Sequence, residues 1–122
     1  QGIKGSIDSQ GKMALYGIFF DTGKSEIKPE SEKELKEVAT YLQDNPSLSV
    51  YLVGHTDNVG EANANLILSR NRGEAVKQFL IAKYKIEAKR LIGDGVGQLC
   101  PVATNDTEAG RRLNRRVEIV KK

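Results

Sequence analysis

Apolar residues along this chain fall into short runs whose spacing alternates between two and about three and a half residues, and polar breaks separate the runs. Residues 1–12 are polar apart from Ile3 and Ile7 and carry Gly2, Gly5 and Gly11, which reads as a linker or a weak edge segment. Met13 to Phe20 forms an apolar run ended by Asp21-Thr22-Gly23 and is predicted as a strand. Apolar residues on both of its faces place that strand centrally in a sheet. Pro29 suits a first helical turn, Glu30, Glu32 and Glu34 load that end with negative charge, and Leu35, Val38, Ala39 and Leu42 follow on one face. Asn45-Pro46 stops the helix, which is expected over 29–44. Leu48 to His55 reads as a second strand, left by the backbone at Gly54.

A short helical piece is expected over 60–68, with Ser69 as N-cap of a longer helix carrying Val76, Phe79, Leu80 and Lys83 on one face. Arg90 to Gly93 is predicted as a third strand, followed by a loop with Cys100, Pro101, Asn105 and Asp106. A helical turn is expected over 107–112, and a last strand over 116–120 with Val117 and Ile119 inward. The pattern predicts an α/β (α+β) fold: a βαβαβ-type sandwich with a mixed four-stranded sheet and helices packed on it.

Length and composition narrow the function without naming it. The 122 residues make one domain, with 39% hydrophobic residues and no tryptophan, which disfavours a base- or sugar-stacking platform. No run approaches the roughly 20 apolar residues of a membrane helix. The start at Gln1 shows no signal-peptide pattern and is read as a piece of a longer or processed protein. A net charge of +3 suits an anionic partner of several kinds. The single cysteine, Cys100, allows neither an internal disulfide nor a thiolate metal site, and it is expected to be a half-buried, inert thiol. No metal and no cofactor is expected.

The chemistry concentrates at Gly54-His55-Thr56-Asp57-Asn58-Val59-Gly60 and at Ser69-Arg70-Asn71-Arg72. Asp57 and Arg72 are 15 positions apart, about 22 Å along one straight helix. A break at Ser69 brings Arg72 into the first turn of a new helix. There the guanidinium and free helix N–H groups grip a carboxylate while Asp57 holds an ammonium, a clamp for a zwitterion. In the plainer reading Asp57 caps a turn and Arg72 pairs with a surface carboxylate such as Glu61, worth about 0–1 kcal/mol. Spacing alone leaves both open. His55, the only histidine, has no nucleophile motif around it and is expected to make a structural hydrogen bond at the strand end. Gly93, Gly95 and Gly97 are followed by Gln98-Leu99-Cys100-Pro101, which cannot open a helix, so a nucleotide loop fails on context. Arg111-Arg112-Leu113-Asn114-Arg115-Arg116 is the densest basic cluster, but it lacks interleaved aromatics and is followed by Glu118.

These landmarks together resemble the OmpA-like (OmpA/MotB C-terminal) peptidoglycan-binding domain. They run from Ile18-Phe19-Phe20-Asp21 with Ser25 and Ile27, through the 54–60 loop, Asn65, Leu68-Ser69 and Arg72, to Gly95-Val96-Gly97, Pro101, Asn105, Gly110-Arg111 and Asn114-Arg115-Arg116-Val117-Glu118. The resemblance covers about 14–122 and puts the domain at 13–122. It implies a non-enzymatic module that binds peptidoglycan through the meso-diaminopimelate of the stem peptide and anchors an envelope protein to the wall. Asp57 and Arg72 then hold the amino and carboxylate groups, Asn65 and Arg115 line the pocket, and Asp21 and Thr22 border it. The implied location is the Gram-negative periplasm, associated with the outer membrane, with any membrane contact made by another part of the parent protein and no nucleic acid partner. Two departures stand out: Gly73 follows the helix arginine where the family has alanine, and Val96 replaces an aromatic. The competing expectations are a nucleic-acid or anionic-polymer binder using residues 111–116, and a stem-peptide hydrolase using His55.

Overall fold

A computed structural model of the chain describes the backbone from Ile3 to Lys122 and the side chains from Gly5 onward. Four strands, β1 (Lys12–Leu15), β2 (Val50–His55), β3 (Leu91–Gly95) and β4 (Arg116–Lys121), form one mixed sheet in the order β1-β4-β2-β3. β2 and β3 are parallel, while β4 runs antiparallel to both of its neighbours. Four helices accompany the sheet: α1 (Ile3–Gln10), α2 (Glu32–Asp44, entered through a 3₁₀ turn at Pro29–Ser31), α3 (Ala62–Tyr84) and α4 (Glu108–Asn114).

Strand alternation sorts the sheet into two faces. Val50 and Leu52 of β2, Leu91 of β3, Val117 and Ile119 of β4 and Leu15 of β1 share one face, all buried. They join Leu35, Val38 and Leu42 of α2 and Val76 and Leu80 of α3 in a single core. The predicted helical stripe of α2 and the inward Val117 and Ile119 are thus as expected, and so is the fold class.

Three expectations change. Residues 3–10 form a helix, not a linker, because Ile7 docks into the core at 1% exposure; the expectation for Gln1 and Gly2 lies outside the described residues. β1 is a four-residue edge strand, not a central one. It stops at Leu15 because α2 captures the next segment: Gly17 N–H donates to Glu34 Oε1 at 3.0 Å, and Phe19 N–H donates to Ser31 Oγ at 2.7 Å. The apolar run 18–20 is therefore a loop wall, not a strand.

The third change concerns α3, one continuous 23-residue helix with no break at Ser69. Ser69 is buried inside it, where its hydroxyl donates to Leu66 O and accepts from Gly97 N–H at 2.9 Å. A side chain read as a cap instead ties α3 to the loop after β3.

Candidate functional site

The continuous helix changes how Asp57 and Arg72 come near each other. Gly54, close to the end of β2, lies directly beneath Ser69, and a Cβ there would come within 2.8 Å of the Ser69 carbonyl carbon. β2 therefore ends under the third turn of α3, and the first two turns overhang the sheet. The 56–60 loop runs alongside this overhang. Asn65 pins it there, its amide donating to Val59 O at 3.1 Å, to Asp57 O at 3.4 Å and to Gln98 Oε1 at 3.1 Å. Thr56 N–H donates to Gly97 O at 2.9 Å, joining the loops after β2 and β3. Helical side chains lean toward the helix N-terminus, so the long arm of Arg72 reaches back toward Asp57 with no break in α3.

Asp57 is buried and committed. Its Oδ1 accepts the Val59 N–H at 2.9 Å, closing a tight turn, and its Oδ2 accepts from Arg115 Nη1 at 2.6 Å. Arg115 in turn donates to Glu108 Oε2 at 2.6 Å. Glu108 first and Asp57 second push the Arg115 guanidinium above its ordinary range, and Arg115 holds the Glu108 carboxyl below its own.

Arg72 is half-buried and sits over the Phe20 ring at 4.8 Å. Its Nε donates to Lys24 O at 2.8 Å and its Nη2 to Asp21 O at 3.1 Å. Among the described residues it forms no ion pair, with Glu61 or with Asp57. Burial pulls its pKa down, the charge of Asp57 works against that, and the charge of Arg115 adds to it. Arg72 stays a cation, desolvated and without a contacting anion. The free helix N–H groups expected beside it are absent, because its own backbone lies well inside α3.

These groups open onto one groove of about 1210 Å³, whose lining includes Asp57, Asn65, Arg72, Thr22, Phe20 and Arg115. Five of the six expected site residues thus line a common space. Asp21 contributes only its carbonyl, since its carboxylate pairs with Lys28 at 3.1 Å. The groove also takes in Tyr16, Phe19 and Glu108, which the sequence does not point to as site residues, and Arg111, Arg112 and Leu113 of the basic cluster. Phe19 and Phe20 read as strand residues in the sequence. The available signal was the aromatic pair standing directly before turn residues.

The other candidate chemistry settles into structural roles. His55 is buried, with its Nε2 3.6 Å from Glu118 Oε1, and neither ring nitrogen makes the expected hydrogen bond. Arg116, also buried, donates to Glu118 Oε2 at 2.8 Å. His55 and Arg116 hold the Glu118 carboxyl at a pKa of about 2. Arg111 is tied to Glu108 and to Asn105 O. Cys100 is exposed, not half-buried as expected; its carbonyl accepts from Arg116 Nη2 at 3.1 Å while its side chain faces solvent. Gly73 lies mid-helix against the sheet backbone, not near a helix start. Among the described residues no cluster suits a metal ion, and no helix is long and apolar enough to cross a membrane.

Fold and groove together define a small α/β ligand-binding module whose site lies where one crossover helix overhangs the sheet. The OmpA family's sequence profile matches residues 19–115, and the chain belongs to that family. It is 41% identical over 100 residues to the outer membrane protein Omp38 of Acinetobacter baumannii, covering 82% of this chain and 28% of the relative. The chain thus spans under a third of that protein's length. Its backbone superposes on the peptidoglycan-associated lipoprotein from Burkholderia pseudomallei with a TM-score of 0.77 at 25% identity, covering 93% of this chain and 92% of that one. It also matches the cell wall anchor of the T6SS from Pseudomonas aeruginosa, with a TM-score of 0.74 at 25% identity and coverage of 98% and 94%.

Proposed function

We propose that this domain binds peptidoglycan non-covalently by gripping the diaminopimelate end of a stem peptide, and so anchors an envelope protein to the cell wall. The observation that carries the reading is the half-buried, anion-free Arg72 sharing a groove with the buried carboxylate of Asp57. A carbon bearing both ammonium and carboxylate satisfies the two ends at once. The ammonium takes a place on Asp57 beside Arg115. The carboxylate lies on Arg72, whose Nε and Nη2 are held by the 21–24 loop and whose Nη1 is left for the ligand. Asn65 fixes the loop that carries Asp57, and Thr22 walls the groove.

Family membership and the likeness to a peptidoglycan-associated lipoprotein and a cell wall anchor support peptidoglycan as the partner. They favour a tethering role in the periplasm of a Gram-negative envelope over catalysis. The basic segment offers little to nucleic acid, since Arg111, Arg115 and Arg116 are engaged within the protein.

The test is co-sedimentation with purified sacculi and calorimetric titration of diaminopimelate. Wild type binds, while Asp57→Ala and Arg72→Ala each lose at least about tenfold in affinity, one charge-assisted contact apiece. Undiminished binding in both folded variants removes the clamp.

A further inference from the structure

The groove is larger and more positive than the clamp requires. A zwitterionic end is neutral and fills only the part between Asp57 and Arg72, whereas drug-sized ligands occupy pockets of roughly 300–1,000 Å³. Five arginines line the groove; apart from Arg116, which is bound to Glu118, there remain four, Arg72, Arg111, Arg112 and Arg115, against two carboxylates, Asp57 and Glu108. Three of the four are held within the protein. Arg115 bridges the two carboxylates, Arg111 holds Glu108 and Asn105 O, and Arg72 is bonded to the 21–24 loop. Arg112 alone has no partner among the described residues, although it lines the groove from α4.

Around it the groove wall is an apolar shelf left open to solvent. Tyr16, Phe19 and Leu113 are 44%, 46% and 45% exposed, which is high for residues of this size. The shelf is built, not frayed: Tyr16 OH donates to Leu113 O at 3.0 Å, tying the end of β1 to α4. An unpaired cation beside an ordered apolar shelf, in the same groove as a zwitterion clamp, suits a ligand that continues past the zwitterion and carries another anion.

The geometry points to a second carboxylate subsite at Arg112, which reads the residue adjoining diaminopimelate in the stem. This rests on the clamp reading above. Stem peptides join diaminopimelate to a γ-linked glutamate, whose α-carboxylate is not used in the chain and stays free unless amidated. The peptide backbone lies over Tyr16, Phe19 and Leu113, and the free α-carboxylate meets the Arg112 guanidinium. Arg111, next to it on α4, is already neutralised by Glu108 and does not compete. The chemistry at Arg112 therefore discriminates free from amidated stems, which the clamp alone cannot do.

The experiment compares two synthetic tripeptides, L-alanyl-γ-D-glutamyl-diaminopimelate with its α-carboxylate free and the same peptide α-amidated. Each is titrated calorimetrically against wild type and Arg112→Gln. Wild type prefers the free acid by about fivefold, the value of a solvent-accessible ion pair. In Arg112→Gln that preference falls to about one. Equal affinity of wild type for the two peptides, or an undiminished preference in the variant, overturns the subsite while leaving the clamp in place. Failure of wild type to bind either peptide overturns the clamp and the subsite with it.

Discussion

Replacing Gly73 by alanine gives opposite results according to whether helix propensity or packing governs that position. Gly73 lies in the interior of α3, where exchange for alanine gains about 1 kcal/mol of helical stability if nothing obstructs the methyl group. In the folded chain the methyl overlaps the carbonyl oxygens of Asp94 in β3 and Leu52 in β2, and it stands 2.9 Å from Asp94 N. All three atoms are sheet backbone, which cannot swing aside as a side chain would. Restoring ordinary contact requires α3 to retreat from the sheet by on the order of 1 Å. Overpacking of that kind costs typically 1–3 kcal/mol, and rigid neighbours put this case near the upper end. The net expectation is a loss of about 2 kcal/mol. At roughly 4 °C per kcal/mol for a chain of this length, the midpoint of thermal unfolding falls by about 8 °C.

Urea unfolding followed by circular dichroism measures the loss, and a thermal scan measures the shift. A variant as stable as wild type, or more stable by the 1 kcal/mol of propensity, would refute the claim that α3 is seated by backbone-to-backbone approach. A functional consequence follows, because Arg72 is the preceding residue. The retreat carries its guanidinium away from Lys24 O and Asp21 O, so ligand affinity falls along with stability.

Three further outcomes test other parts of the structure. The Glu118 carboxyl, held at about 2 against an ordinary 4.5, contributes stability that is present above pH 4.5 and lost as pH falls toward 2. Glu118→Gln therefore costs about 3 kcal/mol at pH 7 and flattens the acid limb of a urea-midpoint profile; a variant that keeps the wild-type acid limb would contradict this. Arg90 is buried and donates to the carbonyls of Leu42, Asn45 and Leu48, so Arg90→Ala removes three charge-assisted hydrogen bonds from the end of α2 and the turn after it and costs about 3 kcal/mol in urea; a loss below about 1 kcal/mol would count against it. Asn65→Ala frees the loop bearing Asp57 without removing a charge, and diaminopimelate affinity measured by calorimetry falls about tenfold; unchanged affinity would show that the loop needs no such tie.

How much of this was legible in the chain depended on whether the signal was local. The stripe Leu35, Val38, Ala39 and Leu42 and the alternation of Val117 and Ile119 are periodicities within one element, and both mark buried faces as read. The run 13–20 misled because apolar character does not say what covers a residue. Leu15 is covered by the core, whereas Phe19 is half exposed beside a groove. What ended the strand was Glu34 and Ser31, more than ten residues away, reaching back to Gly17 and Phe19. Ser69 misled in a related way. A serine suits an N-cap when it begins a helix, but its hydroxyl serves a partner loop equally well, and Gly97 N–H lies 28 positions along the chain.

The clamp pair was therefore expected for a reason that does not hold. Asp57 and Arg72 line one groove without a helix break, because α3 overhangs the sheet and the side chain of Arg72 leans back along it. The signal for that overhang was present in the chain. Gly54, Gly73 and Gly95 all lie on the surfaces that bring α3 against β2 and β3. Gly54 follows Leu52 on the core face of β2, and Gly95 follows Leu91 and Gly93 on that of β3. Large residues giving way to glycine toward the ends of two paired parallel strands mean that something without room for a side chain crosses there. That something is the backbone of α3. Its crossing point fixes how far the helix projects beyond the sheet, and so where an arginine three residues past Ser69 can reach.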